Sequence, residues 1–226
     1  MLLVDTAATT EIRTALDNPA FSGFTTNPRL IAQAAGQEAL SYAAYRQFCE
    51  SLCRFAGEDA RVHNFMIQTI GADTQTQELA SACLAQLARA GSPPRSPKLW
   101  IKLPPTLTHL RSIDMLQRMG CKTLVTGVFT PAQALLAMDS AADGVAVYFG
   151  RLLKHCSDWE RDLATIVEIM REKKGLLLLA SLPEPGVLAQ SLRYSRDITL
   201  PPALIPKLMD SSLSQTAIKE FAQRVM

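Results

Sequence analysis

The chain has no run of roughly 18 or more apolar residues, so no segment of it reads as a membrane span. It has no strong charge of either sign. Lys and Arg number 23 against 21 Asp and Glu, a net charge of +2. Such a balance makes no field that would draw nucleic acid or an acidic membrane surface, and neither is expected as a partner. Histidines are few, and His63, His109 and His155 stand apart from one another. Without clustered ligand spacing, no metal site is expected. The five cysteines are odd in number and form no C-x-x-C pair. Cys49 and Cys53 are one helical turn apart, with Cys83, Cys121 and Cys156 scattered. They read as reduced thiols. The opening Met1-Leu2-Leu3-Val4-Asp5-Thr6 carries no positive segment and meets Asp5 at once, unlike a signal peptide. A cytoplasmic location is therefore expected. There is no linker, sequence repeat or low-complexity tract. The one Pro/Ser cluster, residues 91–97, reads as a surface loop before a strand.

What is present is alternation. The 226 residues, 48% apolar and 19% charged, are enough for a large core. Short runs of Val, Leu, Ile and Thr recur eight times: Leu2–Thr6, Gly23–Asn27, Val62–Ile67, Leu99–Leu103, Thr123–Val128, Gly144–Phe149, Leu176–Ser181 and Asp197–Leu200. Between them lie stretches of helical spacing. One starts at Thr9 or Thr10 and runs to about Asp17, and another opens at Pro28 after Asn27. Glu38–Phe55, Thr76–Ala90, Leu107–Met119, Pro131–Met138, Ser157–Lys173 and Glu184–Tyr194 follow. Strand and helix in strict alternation predict a parallel sheet with helical crossovers. Eight units allow closure, so the expected fold is α/β, a single (β/α)8 TIM barrel over residues 1–226. A doubly wound open sheet is the rival, but it rarely needs eight parallel strands at this length.

Barrel enzymes carry their chemistry at the C-terminal ends of the strands. The polar residues ending these runs are Asp5 and Thr6, then Thr25, Thr26 and Asn27, then Lys102, Thr126, Tyr148 with Arg151 just beyond, and Ser181. Lys102 is the most informative, flanked by Trp100, Ile101, Leu103 and Pro104. A lysine in an apolar run is costly unless neutral or paired. An ordinary lysine is free amine in only about one molecule in 2,500 at pH 7. Desolvation inside a barrel lowers its pKa and frees the lone pair. The plain alternative is a lysine that reaches solvent at the strand end, or that pairs with Asp5. Asp5 likewise reads as a structural ion-pair partner or as an acid/base group.

These segments together resemble the transaldolase family, in particular its small fructose-6-phosphate aldolase branch. Val4-Asp5-Thr6-Ala7 and Gly23-Phe24-Thr25-Thr26-Asn27-Pro28 resemble its "LDTA" and "GVTTNP" motifs. Trp100-Ile101-Lys102-Leu103-Pro104 resembles the strand that carries the family's Schiff-base lysine. Thr123 to Phe129 with Ala132-Gln133-Ala134, Val145 to Arg151, Leu179-Ala180-Ser181 and Ile198-Thr199-Leu200-Pro201 resemble further segments, in order and at similar spacing. The resemblance implies a class I aldolase or transaldolase that acts on a ketose or ketose phosphate without a cofactor. It implies Lys102 as the Schiff-base nucleophile and Asp5 as its acid/base partner. Asn27 and Thr126, with Thr26 beside Asn27, would orient substrate hydroxyls or a catalytic water. Tyr148 falls where the aldolase branch has a tyrosine that moves a proton, and where transaldolases proper have phenylalanine. Arg151 and Ser181 match positions that hold the substrate phosphate. The resemblance also implies a homo-oligomer in which the last helix packs on a neighbouring subunit. Here that helix, Leu213–Met226, reads as shorter than in the branch.

The pattern breaks in places. The family's third strand carries a Gln or Glu that helps hold the catalytic water. Here the segment is Val62-His63-Asn64-Phe65-Met66-Ile67-Gln68-Thr69. Matching methionine to methionine assigns that role to Asn64, and an ungapped match assigns it to Phe65. Asn64 is taken as the candidate, sharing a strand face with Met66. After Ser181 the family has Phe and a basic residue, whereas this chain has Leu182-Pro183. Arg29 stands where a small hydroxyl residue is usual, and becomes a candidate for binding substrate in place of the missing cation. A barrel sugar-phosphate isomerase is an alternative reading, but no strand end offers the Glu base it would need. A divergent barrel kept for binding is the other.

Overall fold

The computed structural model describes residues 1–71, 73–90 and 96–224. Eight strands run in chain order: β1 Leu2–Asp5, β2 Phe21–Thr25, β3 Asn64–Gln68, β4 Lys98–Leu103, β5 Lys122–Val128, β6 Gly144–Tyr148, β7 Leu176–Ala180 and β8 Ile198–Leu200. Each pairs in parallel with its sequence neighbours, and β8 returns to β1, closing the barrel. The expected (β/α)8 fold is what the chain adopts.

Eleven α-helices are described, besides two short 3-10 turns at Pro202–Leu204 and Pro206–Leu208: α1 Thr9–Leu16, α2 Pro28–Ala34, α3 Tyr42–Glu58, α4 Thr74–Arg89, α5 Leu107–Leu110, α6 Ile113–Arg118, α7 Pro131–Asp139, α8 Phe149–His155, α9 Trp159–Lys173, α10 Pro185–Ser191 and α11 Ser212–Ala222. Their starts follow from local chemistry. Asn27 caps α2 by accepting from the Leu30 amide at 3.0 Å, with Pro28 in the first turn. Thr130 and Gln133 form a capping box on α7.

Alternation along each strand sorts side chains into two cores. Leu3, Met66, Trp100, Leu124, Ala146 and Leu178 point inward and plug the barrel. The opposite faces pack against the helices. There Phe24 stacks on Phe65 with ring centroids 5.6 Å apart. The plug is a floor, and polar side chains stand above it at the C-terminal strand ends. Gly23, at φ 150°, permits the close approach of β2 to β3, since a Cβ there would fall 1.7 Å from the Asn64 carbonyl oxygen.

The structure departs from the periodicity in several places. β2 begins and ends two residues earlier than its expected run, at Phe21 and Thr25, and α3 starts at Tyr42 rather than Glu38, capped by Ser41. β3 begins and ends later than its apolar run suggests, at Asn64 and Gln68. The stretch 107–119 is two short helices. The Ser112 amide bonds to His109 O, three residues back, which ends α5 in a tight turn before α6 starts on Ser112 O. The chain after β6 turns at once into α8, where the run had suggested strand to Phe149 and no helix before Ser157. Residues 91–95 of the expected Pro/Ser loop lie outside the described residues.

Candidate active site

A cavity of about 400 Å³ opens at the C-terminal end of the barrel. Asp5, Asn27, Arg29, Lys102, Tyr148, Arg151 and Ser181 line it, drawn from β1, β4, β6 and the segments that follow β2, β6 and β7. Strand ends far apart in sequence meet there because closure of the sheet points all their last inward residues at one axis.

Lys102 is only 4% exposed. Its Nζ donates to the Thr26 carbonyl oxygen at 2.8 Å. Among the described residues no carboxylate forms a salt bridge with it. The amine therefore neither reaches bulk solvent nor sits in an ion pair. Burial lowers its pKa from the ordinary lysine value, and the charge of Asp5 opposes that only in part. The result is an ammonium that sheds its proton easily, with one face turned to the cavity.

Asp5 is held rather than free. Its Oδ1 accepts from Thr25 Oγ1 at 2.7 Å, and Thr25 in turn shares a 2.6 Å hydrogen bond with Thr199. Threonines on β2 and β8, the two neighbours of β1, thus clamp the carboxylate on the cavity wall. Across the mouth, Thr126 Oγ1 lies 3.4 Å from the Tyr148 hydroxyl. The Tyr148 ring meets Phe129 edge-on, with centroids 6.0 Å apart. The Arg151 guanidinium lies over the same ring, 5.2 Å from its centroid.

Ser181 has φ 62°, a left-handed turn that ends β7. Its carbonyl accepts from the Gly150 amide at 3.1 Å, and a Cβ on Gly150 would approach that oxygen to 2.1 Å. The glycine lets the β6 and β7 segments close against each other, which brings Arg151 and Ser181 to one side of the mouth.

Two expected residues lie off the cavity wall but touch residues on it. Thr26 offers its backbone oxygen to Lys102, while its own hydroxyl turns to Met66 O at 3.3 Å. Thr126 reaches the site through Tyr148.

Asn64 requires a correction. It is the first residue of β3, at the opposite end of the barrel, where its Oδ1 accepts from the Trp100 indole nitrogen at 3.1 Å. It takes no part in the cavity. Gln68, four residues further along the same inward face, occupies the strand end. Four residues of strand amount to about 13 Å. Gln68 is directly paired with Lys102 in the β3–β4 register. Its Oε1 is buried without a hydrogen-bond partner, and its backbone carbonyl accepts from the Tyr45 hydroxyl. Gln68 and the Thr199 relay were missed in the sequence. The alternation Asn64, Met66, Gln68 was a usable signal, but the strand's offset was not.

No group of three or more His, Cys, Asp or Glu side chains among the described residues is placed to hold a metal ion. Among them, too, no helix is long and apolar enough to cross a membrane.

A closed parallel barrel whose C-terminal mouth holds one buried lysine amine, a clamped carboxylate and a tyrosine is an arrangement suited to carbonyl chemistry on a small polyol. The comparisons then specify the family. The family model described as transaldolase/fructose-6-phosphate aldolase matches residues 2–226, and the chain belongs to that family. A probable transaldolase of Chlorobium phaeobacteroides is 30% identical over 224 residues, covering 97% of this chain and 93% of that protein. One from Thermus thermophilus is 29% identical over 227 residues, covering 98% and 96%. Among solved structures, 2,3-dimethylmalate lyase aligns over 100% of this chain and 83% of its own with a TM-score of 0.58. At 14% identity, that likeness concerns the barrel fold alone.

Proposed function

We propose that the protein is a class I aldolase or transaldolase that makes or breaks a C–C bond of a ketose or ketose phosphate through a Schiff base on Lys102. The observation that carries this reading is the Lys102 amine, 4% exposed and unpaired with any described carboxylate, facing the cavity. A structural lysine would reach solvent or an acid. A nucleophile needs its lone pair.

The steps follow from the positions around it. Nζ adds to the ketone carbon, and Asp5 moves the protons that turn the carbinolamine into an imine with loss of water. The protonated imine draws the electrons of the adjacent C–C bond as it breaks. An aldehyde leaves and an enamine stays on Lys102. The enamine takes a proton, which is aldol cleavage, or a second aldehyde, which is transfer. Water then hydrolyses the imine and restores the amine. The Gln68 Oε1, with no protein donor, together with Tyr148 and Thr126, suits a water held beside the imine. Asn27, whose oxygen is engaged in the cap, keeps its amide protons for substrate hydroxyls. Arg151 and Ser181 suit a phosphate. Tyr148 in place of phenylalanine favours the aldolase branch.

We also propose that the protein forms a homo-oligomer in the cytoplasm. The apolar side chains of α11 support self-association: Leu213, Ile218 and Phe221 are 82%, 63% and 66% exposed.

Incubation with fructose 6-phosphate or dihydroxyacetone, borohydride reduction and peptide mass mapping test the mechanism. The expected result is a reduced adduct on Lys102, absent from Lys102→Met. If a broad set of ketoses and keto acids leaves Lys102 unmodified, the Schiff-base reading fails and a binding role replaces it.

A further inference from the structure

The cavity wall is cationic beyond what one phosphate requires. Lys102, Arg29 and Arg151 face a single carboxylate, Asp5. Among the described residues neither arginine makes a salt bridge. Arg151 rests on the Tyr148 ring. Arg29 is exposed at the mouth, on the second residue of α2. Each guanidinium therefore has its charge free for an anion of the ligand.

Their positions around the ring decide how they would be used. Arg29 follows β2 and Arg151 follows β6, four strands apart in a closed ring of eight. They therefore stand on opposite rims, with β4 and its Lys102 midway between. A ligand joined to Lys102 has two ends, one on the side of each arginine. The wall next to Ser181 is apolar, built from Leu182, Pro183 and Pro201, and leaves no further place there for an anion. Asn27, adjacent to Arg29, makes that side the seat of the ketone half.

We propose that Arg29 is a second anion-binding residue that selects a ketone donor carrying its own anionic group, phosphate or carboxylate. Arg151 and Ser181 serve the acceptor half. This rests on the Schiff-base reading of Lys102. The donor's carbonyl carbon bonds to Nζ with loss of water. The carbon on its unsubstituted side gives up a proton and bonds to the acceptor aldehyde, whose oxygen takes a proton. Hydrolysis returns the water and frees the aldol product. The anionic substituent, on the other side of the carbonyl, stays at Arg29 throughout.

The test is borohydride trapping of Lys102 over a concentration range of three donors: neutral dihydroxyacetone, dihydroxyacetone phosphate and pyruvate. At least one anionic donor is expected to half-saturate labelling at a concentration about tenfold or more below that of dihydroxyacetone, as one charge-assisted contact implies. An advantage for dihydroxyacetone phosphate alone assigns a phosphate, and for pyruvate alone a carboxylate. In Arg29→Gln that advantage should fall to within about threefold. Arg29→Lys should retain part of it, and Arg151→Gln should retain it in full. Equal labelling by all three donors, an unchanged ratio in Arg29→Gln, or collapse of the ratio in Arg151→Gln would overturn the proposal. Should no donor label Lys102, the Schiff-base reading fails separately. Calorimetric titration with inorganic phosphate in an Arg151→Gln background then decides for Arg29: a further loss of affinity of about tenfold on adding Arg29→Gln supports the anion site, and unchanged binding removes it.

Discussion

An ammonium inside a barrel works against the fold that holds it. Burial lowers the Lys102 pKa, so the unfolded chain binds the extra proton more readily than the folded one. The penalty is fully present below the folded pKa and disappears as pH rises through the unfolded value of about 10.4. Lys102→Met is therefore expected to stabilise the protein by about 1–4 kcal/mol at neutral pH. Denaturant midpoints of the two proteins should converge as pH approaches 10.4. A gap that stays constant or widens with pH would contradict the burial account. Gln68 and Asn64 separate by the same logic. Gln68→Leu removes a buried oxygen that has no partner, so stability should hold or rise while turnover falls about 10–100-fold. Asn64→Leu breaks the bond from Trp100 and should cost about 1–2 kcal/mol, with turnover near that of the parent. Parallel kinetics and thermal melts of the pair check the assignment. Lys102 stood out in the sequence because charge inside an apolar run is conspicuous, whereas Asp5, at a strand end, became a candidate chiefly through the family resemblance. Gln68 was not, since a polar residue just past an apolar run reads equally well as loop.

At the scale of elements, the site depends on where strands stop and how tightly their ends meet. β3 starts two residues later and ends one residue later than its apolar run, which moves the strand's last inward side chain from Met66 to Gln68. Hydrophobic periodicity sees the apolar run, whereas the ladder with β4 sets the end, and that ladder runs Asn64 to Lys98 through Gln68 to Lys102. The contact of α8 with the end of β7 is equally specific. Gly150→Ala would press a methyl against the Ser181 carbonyl, at 2.1 Å before relaxation. A loss of about 1–3 kcal/mol is expected. Weaker phosphate dependence should accompany it, as Arg151 and Ser181 are pushed apart. A variant with unchanged melting temperature and unchanged selectivity for phosphorylated substrates would show that this closure is slack. The short helix α8 was invisible to periodicity because one turn or two of helix carry too few apolar repeats to register.

For the molecule as a whole, the barrel buries its plug and its outer layer but leaves α11 with an uncovered apolar side. Paired substitution of Leu213 and Phe221 by Asp should lower the assembly state measured by light scattering at micromolar concentration, with the barrel's melting transition retained. If the parent protein is already monomeric, the proposed oligomer is wrong and those side chains need another account. The buried thiols bear on the molecule's chemistry as well. Cys49, Cys53, Cys83 and Cys121 are at most 3% exposed, and burial pushes the Cys121 thiol up to about 12. They belong to packing rather than to reactivity.

The sequence by itself determined the class of fold, because alternating strand and helix periods with short connections leave few topologies for eight units. It also determined which residue types were available at the strand ends, including the one lysine set in an apolar run. Tertiary structure decided what those residues became. Closure of the sheet brought Asp5, Gln68, Lys102 and Tyr148 to one axis, and the β3–β4 register chose Gln68 over Asn64. Ring order placed Arg29 and Arg151 on opposite rims. Each of these depends on pairings between residues distant along the chain, and a local period carries no information about them.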